Sequence, residues 1–351
     1  MKFLVIQQKM IGDVLTTTIL CEALKKRYPD AQVHYLINSH TQAVVENNPF
    51  IDELILYTPE IENSRRLKKE LRKTLRAESY DAVIDVYSKI GSARMAKATK
   101  ANTIIGYKKW YTKSAYTSVF SYAEAAETEA GLAIENRMKL LQAIDTKFPK
   151  AIKPKLYLTK AETAFAKAQL KKHKISTKQP LYMIGILGSS EDKTYPLTHL
   201  SKVLDALVEK TNGQLLFNYM PSQAEDVKTL YDLCLPITQA NINTKLYGKS
   251  LREFMALTKE CYALIGNEGG AVNMAKALDI PTFAIFSPWI RKAAWALYEN
   301  DQNVAVHLQD LQPELYEKTP LKTIKKDVEK HYDALDPKHV TAQLDLFLKN
   351  N

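Results

Sequence analysis

Three short turns hold residues whose types and spacing suit chemistry, and each sits where an apolar run gives way to a helical pattern. In Gln8-Lys9-Met10-Ile11-Gly12-Asp13 a glycine and an acid follow the apolar run Phe3-Leu4-Val5-Ile6. Asp13 suits two roles there. As an N-cap it accepts hydrogen bonds from the first free N–H groups of the next helix, worth ~1 kcal/mol and favoured by the helix dipole. As a base it takes a proton from a substrate bound at the strand end. Spacing alone favours the cap, because aspartate is a common helix-starting residue.

The second turn runs from Gly188 through Ser189, Ser190 and Lys193 to Pro196. Small residues let backbone N–H groups approach a phosphate, and a lysine adds a point charge. A polar surface loop with a helix-starting proline accounts for the same residues. The third turn, Gly266-Asn267-Glu268-Gly269-Gly270-Ala271-Val272-Asn273, sets paired glycines at a helix start behind a buried strand. Free amides and the helix dipole make such a start an anion site, although a plain tight turn also uses glycines.

Other chemistries find no footing. Gly12 stands alone, so the first turn lacks the G-x-G-x-x-G of a dinucleotide site, and no P-loop pattern or G-x-S-x-G elbow occurs. The seven histidines show no metal-ligand spacing, no D-x-D pair is present, and Cys21, Cys234 and Cys261 are too few and too scattered for a disulfide framework or a zinc site. The segment "GYKKWYTKSAY" (106–116) interleaves aromatic and basic side chains, which suits stacking on bases or sugars. An aromatic surface loop explains it equally.

The elements that must position these turns alternate along the chain. Strand-like runs at 2–7, 31–38, 51–57, 80–87 and 102–107 are interspersed with helical patterns, notably 14–29 and the basic stretch 63–77. The alternation restarts with strands at 181–190, 213–221, 263–270 and 281–288 and helices at 197–211, 222–234 and 251–262. Such alternation builds parallel sheets from βαβ units. Two α/β doubly wound domains follow, fitting the 351 residues, with a linker in the polar stretch 171–180 and a terminal amphipathic helix over 339–350. Ligands of such sheets bind at the carboxyl ends of strands, where all three turns lie. Apolar content of 46% with 25% charged residues is that of a soluble globular chain. No apolar run is long enough to span a bilayer or resembles a secretion signal, so a cytoplasmic location is expected. The formal net charge of +10 suits an anionic partner, though most lysines read as solvated helix faces.

Gly12-Asp13-Val14 behind the first strand, the lysine-to-proline loop Ser189 to Pro196, and the turn from Gly266 to Pro281 occur in an order and spacing that resemble the ADP-heptose:lipopolysaccharide heptosyltransferases, glycosyltransferase family 9. The resemblance covers nearly the whole chain. It implies a GT-B fold, two Rossmann-like domains facing across a cleft: residues 1–172 for the acceptor, 173–338 for the nucleotide sugar, and 339–351 as a helix returning to the N-terminal domain. It implies an inverting, metal-independent transfer of heptose from ADP-heptose to the lipopolysaccharide inner core, with no cofactor.

Carried over by position, Asp13 is the general base, Lys193 with Ser189, Ser190 and the amides of Gly269 and Gly270 holds the departing diphosphate, and Gly12, Glu268 and Asn273 belong with them to the donor-binding set. Glu225 reaches toward the donor ribose. The third turn departs from the family, with Glu268 for an aspartate, Gly269 for a serine or threonine, and Asn273 for a histidine. The departures keep two alternatives open: a divergent member that uses another nucleotide sugar for a surface glycan, and a catalytically degenerate binding protein of the same fold. The partners implied are a nucleotide sugar and an anionic lipid-linked saccharide at the cytoplasmic membrane face, bound peripherally, with no nucleic acid. Lys108, Lys109 and Lys113 suit the anionic acceptor.

Overall fold

The computed structural model describes residues 1–351, which divide into two compact units, Met1–Tyr157 and Leu158–Asn351. In the first, strands β1 (Lys2–Ile6), β2 (Gln32–Asn38), β3 (Glu53–Tyr57), β4 (Ala82–Asp85), β5 (Thr103–Tyr107) and β6 (Ser118–Phe120) form one sheet in the order β3-β2-β1-β4-β5-β6. Every pairing is parallel. A parallel sheet covered on both faces buries whole strands, which is why β1 and β2 read as continuous apolar runs. Phe3 to Ile6 and Tyr35 to Ile37 are fully enclosed. Helix Ile11–Arg27 follows β1; Val14 to Leu24 are all buried, and Lys25, Lys26 and Arg27 close it where cations complement the dipole.

The second unit repeats the plan. Strands β7 (Leu181–Gly185), β8 (Gln214–Asn218), β9 (Ile242–Asn243), β10 (Ala263–Asn267), β11 (Thr282–Ile285) and β12 (Asn303–Val306) run parallel in the order β12-β11-β10-β7-β8-β9. Within each unit the strand order is that of the Rossmann fold and reverses once, between β1 and β4 and between β7 and β10. Crevices for ligands open at the carboxyl ends of those strand pairs. Register sets Ile6 beside Asp85 in one sheet and Gly185 beside Gly266 in the other.

Three expectations need correction. The boundary falls at Tyr157–Leu158, not at residue 172. Helix Lys160–Lys172 belongs to the second unit, where Glu162 receives two 2.6 Å bonds from the guanidinium of Arg252 on helix Leu251–Lys259. The terminal helix, Pro337–Asn350, packs into the second unit's own core, where the family resemblance implies a return to the N-terminal domain. Val340, Leu344 and Phe347 are buried there, the Phe347 ring lies 5.7 Å from that of Phe283, and Lys210 pairs with Asp345. Finally, β6, β9 and β12 extend the sheets beyond the strands read from the sequence, at two to four residues each. No helix is long and apolar enough to cross a membrane.

Candidate functional site

At the end of β1 the chain bends sharply. Lys9 takes a left-handed backbone, φ 69°, and its N–H donates to Asn38 Oδ1 at 2.9 Å. Met10, not Asp13, is the N-cap, and the helix begins three residues earlier than the 14–29 expected. Gly12 and Asp13 are thus the second and third helical residues, and the capping role fails. The Asp13 carboxylate is held instead by a residue the sequence did not single out. Arg137, on helix Leu132–Leu140, donates from its guanidinium to Asp13 Oδ1 at 2.7 Å.

Arg137 also donates from Nε to Thr17 Oγ1 at 2.9 Å and from the remaining nitrogen to the Ala133 carbonyl at 2.7 Å. Only 8% of the Arg137 side chain is exposed, against 26% for Asp13. A guanidinium so enclosed must be paired, because an uncompensated buried charge is strongly destabilising. The pair fixes one carboxylate oxygen, while the side chain keeps a path to solvent. One signal could have found Arg137: a cation flanked by Ala133, Ile134, Met138 and Leu140, all buried, on a helix otherwise apolar at those positions.

Beside this turn, Asp85 ends β4 fully buried. It accepts the Ser88 N–H and the Tyr116 hydroxyl, each at 2.8 Å. Burial raises its pKa to about 6, against the lowering effect of those two bonds. Asp85 thereby ties the connection after β4 to the connection after β5.

The second unit joins its two turns through one buried amide. Asn267 Nδ2 donates to the carbonyls of Gly185 and Ile186, at 3.1 and 2.7 Å, and Oδ1 accepts the Tyr195 N–H at 2.6 Å. The sheet can close here because Gly266 stands at φ 138°, where a Cβ would lie 2.2 Å from the Gly185 carbonyl oxygen. Spacing reveals no role for Asn267; the fold shows that it staples the loop carrying Lys193.

Lys193 Nζ lies 3.9 Å from Glu268 Oε1 and 5.3 Å from the centre of the Trp289 ring. Burial pushes the Glu268 carboxyl up, and the Lys193 charge opposes that shift. Trp289 is anchored from Nε1 to the Asp192 carbonyl at 2.9 Å, an oxygen that also accepts Ser287 Oγ at 2.7 Å. On the same ring sits Lys325 Nζ, 4.0 Å from its centre and 2.8 Å from Asp192 Oδ2. The hydrogen bonds from Lys325 and then from Ser190 hold the Asp192 carboxyl below its usual range.

Gly269 caps helix Gly270–Ala277 with no side-chain bond, at φ 151°, and a Cβ there would meet nothing within 4 Å. The N–H groups of the first helical turn have no intrahelical partners. Ser189 and Ser190 are exposed and line a cavity of about 930 Å³ together with Gln223, Asp226 and Tyr332. Thus Lys193, Glu268, Gly269 and Gly270 come together, and Ser190 joins them through Asp192. Asn273 is one turn into the helix, its N–H donating to the Gly269 carbonyl at 3.3 Å. Glu225 is not brought in: it lies exposed on helix Ala224–Leu233, outside the cavity that its neighbour Asp226 lines.

Comparison with known proteins adds a family and a fold. The model of glycosyltransferase family 9 (heptosyltransferase) matches residues 68–325. Lipopolysaccharide heptosyltransferase 1 of Campylobacter coli is 26% identical over 299 residues, covering 82% of this chain and 84% of that one. Among solved structures, a glycosyl transferase family 9 protein of Veillonella parvula aligns with a TM-score of 0.80 at 19% identity, over 99% of this chain and 97% of the other. The Escherichia coli heptosyltransferase WaaC with ADP aligns with a TM-score of 0.66 at 17% identity, over 94% and 100%.

Proposed function

Because the chain belongs to glycosyltransferase family 9, we propose that it transfers heptose from ADP-heptose to the lipopolysaccharide inner core, inverting the anomeric carbon without a metal ion. An acceptor hydroxyl oxygen attacks the anomeric carbon, Asp13 takes the hydroxyl proton, and the bond to the diphosphate breaks with its electron pair leaving on ADP. General-base assistance of this kind contributes roughly 10²–10⁴-fold. Arg137 holds the Asp13 carboxylate in one orientation, so the base is positioned before substrate arrives.

The departing diphosphate gathers negative charge, which the Lys193 ammonium and the free N–H groups behind Gly269 stabilise. Ser189 and Ser190 supply hydroxyl donors from the preceding loop. Glu268 stands close to that charge, and a neighbouring phosphate would drive its carboxyl in the direction that burial already does, toward the neutral form that donates a hydrogen bond. The observation that carries the proposal is the convergence of Lys193, Glu268 and an open helix start at the β7/β10 reversal. A heptosyltransferase solved with ADP supports the same nucleotide here. The acceptor is a saccharide on an anionic lipid, met at the cytoplasmic membrane face.

The test is turnover of ADP-heptose with a heptose-free core acceptor, beside calorimetry of ADP-heptose on the wild type and Lys193→Ala. Transfer, with binding lost in the variant, supports the proposal. Transfer from a different nucleotide sugar alone would sink the donor assignment and favour the divergent reading, which the missing side chain at Gly269 and the Asn273 amide motivate.

A further inference from the structure

The transfer chemistry leaves unused an acid beside the lysine it depends on. Asp192 directly precedes Lys193 in the connection after β7, and the two charges act on one another. The backbone at Asp192 is fixed, because its carbonyl accepts both Ser287 Oγ at 2.7 Å and Trp289 Nε1 at 2.9 Å. Hydrogen bonds from Lys325 and then from Ser190 hold the carboxyl below the usual carboxylate range, so it is ionised at neutral pH.

An ionised carboxylate in this place opposes the binding of an anion. Glu268 sets a second carboxyl 3.9 Å from Lys193. With no further cation, Lys193, Asp192 and Glu268 would carry a net negative charge, and a diphosphate would meet repulsion. Lys325, on helix Leu321–Lys326, supplies the cation: its Nζ lies 2.8 Å from Asp192 Oδ2 and 4.0 Å from the centre of the Trp289 ring. The same ring centre is 5.3 Å from Lys193 Nζ, so one indole holds both ammonium groups. An aromatic ring attracts a cation through its quadrupole and leaves the charge uncancelled, as a carboxylate does not. With Lys325 in place the four charged side chains balance, and a neutral Glu268 tips the set to one net positive charge. Stability alone is a weak reason for the Lys325–Asp192 pair, since the lysine side chain is 49% exposed and ion pairs open to water contribute little.

We propose that Lys325 is a positioning residue of the diphosphate site: it cancels the Asp192 charge and shares the Trp289 ring with Lys193, so that Lys193 meets the departing diphosphate without an opposing anion. The inference rests on the reading that Lys193 holds a nucleotide diphosphate. It carries a sign that an ion pair serving only the fold does not. Removing the acid should favour the ligand, and removing the base should disfavour it.

Calorimetry of ADP on the full chain tests this, with UDP and inorganic pyrophosphate beside it, at low salt and at high salt, and at a temperature where thermal melts show every variant folded. Lys325→Gln should bind ADP about fivefold more weakly at low salt, and Lys325→Arg should bind it as the wild type does. Asp192→Asn should bind ADP about threefold more tightly than the wild type, and Asp192→Asn/Lys325→Gln should return to within about twofold of it. The loss in Lys325→Gln should vanish near 1 M salt, where charges more than about 3 Å apart are screened. Weaker ADP binding in both single variants with no recovery in the double is the behaviour of a structural ion pair and overturns the proposal. A Lys325→Gln loss indifferent to salt overturns it as well. If UDP and pyrophosphate follow these signs while ADP does not bind, the role of Lys325 stands and the ADP-heptose reading falls. Failure of every diphosphate to bind removes both.

Discussion

Arg137 donates to Asp13 Oδ1 at 2.7 Å across 124 positions of sequence, and its other nitrogens are fixed by Thr17 and by its own helix. The pair holds one oxygen of the Asp13 side chain, 26% of which stays exposed.

If Arg137 acts by holding that carboxylate, Arg137→Ala lowers kcat by about tenfold or more while leaving the KM for ADP-heptose nearly unchanged. The double variant Asp13→Asn/Arg137→Ala should then be no slower than Asp13→Asn alone, because residues acting as a unit are non-additive. Steady-state kinetics at a temperature where circular dichroism shows all three variants folded decides it. Losses that simply multiply would show that Arg137 acts independently of Asp13.

The two positive-φ glycines of the third turn separate folding from binding. Gly266→Ala drives a Cβ to 2.2 Å from the Gly185 carbonyl, so it should cost several kcal/mol and lower the thermal midpoint sharply. Gly269→Ala meets no atom; it should cost about 1–3 kcal/mol of backbone strain and weaken ADP-heptose binding by filling the space before the helix. Thermal melts and calorimetry on both variants give the comparison, and equal effects on ligand affinity per unit of lost stability would contradict it.

Asp85 predicts a pH dependence of stability. Its carboxyl titrates near 3.8 when unfolded and at about 6 when folded. Below 3.8 both states hold the proton and the stabilisation is fully present. As pH rises from there through about 6, the unfolded state releases the proton first and stability falls. Asp85→Asn removes that term, so its stability relative to wild type should rise across this window, by up to about 3 kcal/mol. Melts from pH 4 to pH 7 measure it; a constant difference between the two proteins would contradict the assignment.

Strand runs were legible because parallel strands buried on both faces must be apolar, and Phe3 to Ile6 leaves no other reading. The short strands were not, since Ser118–Phe120 and Ile242–Asn243 are too brief to show a period. Helix Lys160–Lys172 has an ordinary amphipathic pattern that does not say which core it serves; the Glu162–Arg252 fork decides, and ion pairs 90 residues apart leave no local trace. Within the candidate site, the glycines and Lys193 stood out by their place between an apolar strand and a helix start, where an anion site uses them, although tight turns use glycines too. Arg137 and Asn267 act through contacts at 2.6–3.1 Å between distant segments, which spacing cannot reveal. Spacing gave Asp13 the helix cap, and Met10 takes that place, because a helix start is uncertain by a few residues.

The proposed roles are proton removal for Asp13 and binding of the donor diphosphate for Lys193. Calorimetry of ADP-heptose combined with turnover on Asp13→Asn and Lys193→Ala tests them most directly. Asp13→Asn should bind ADP-heptose as the wild type does and lose turnover by about 100-fold or more, while Lys193→Ala should lose binding as well. Turnover retained by Asp13→Asn, with the protein folded and donor bound, would contradict them.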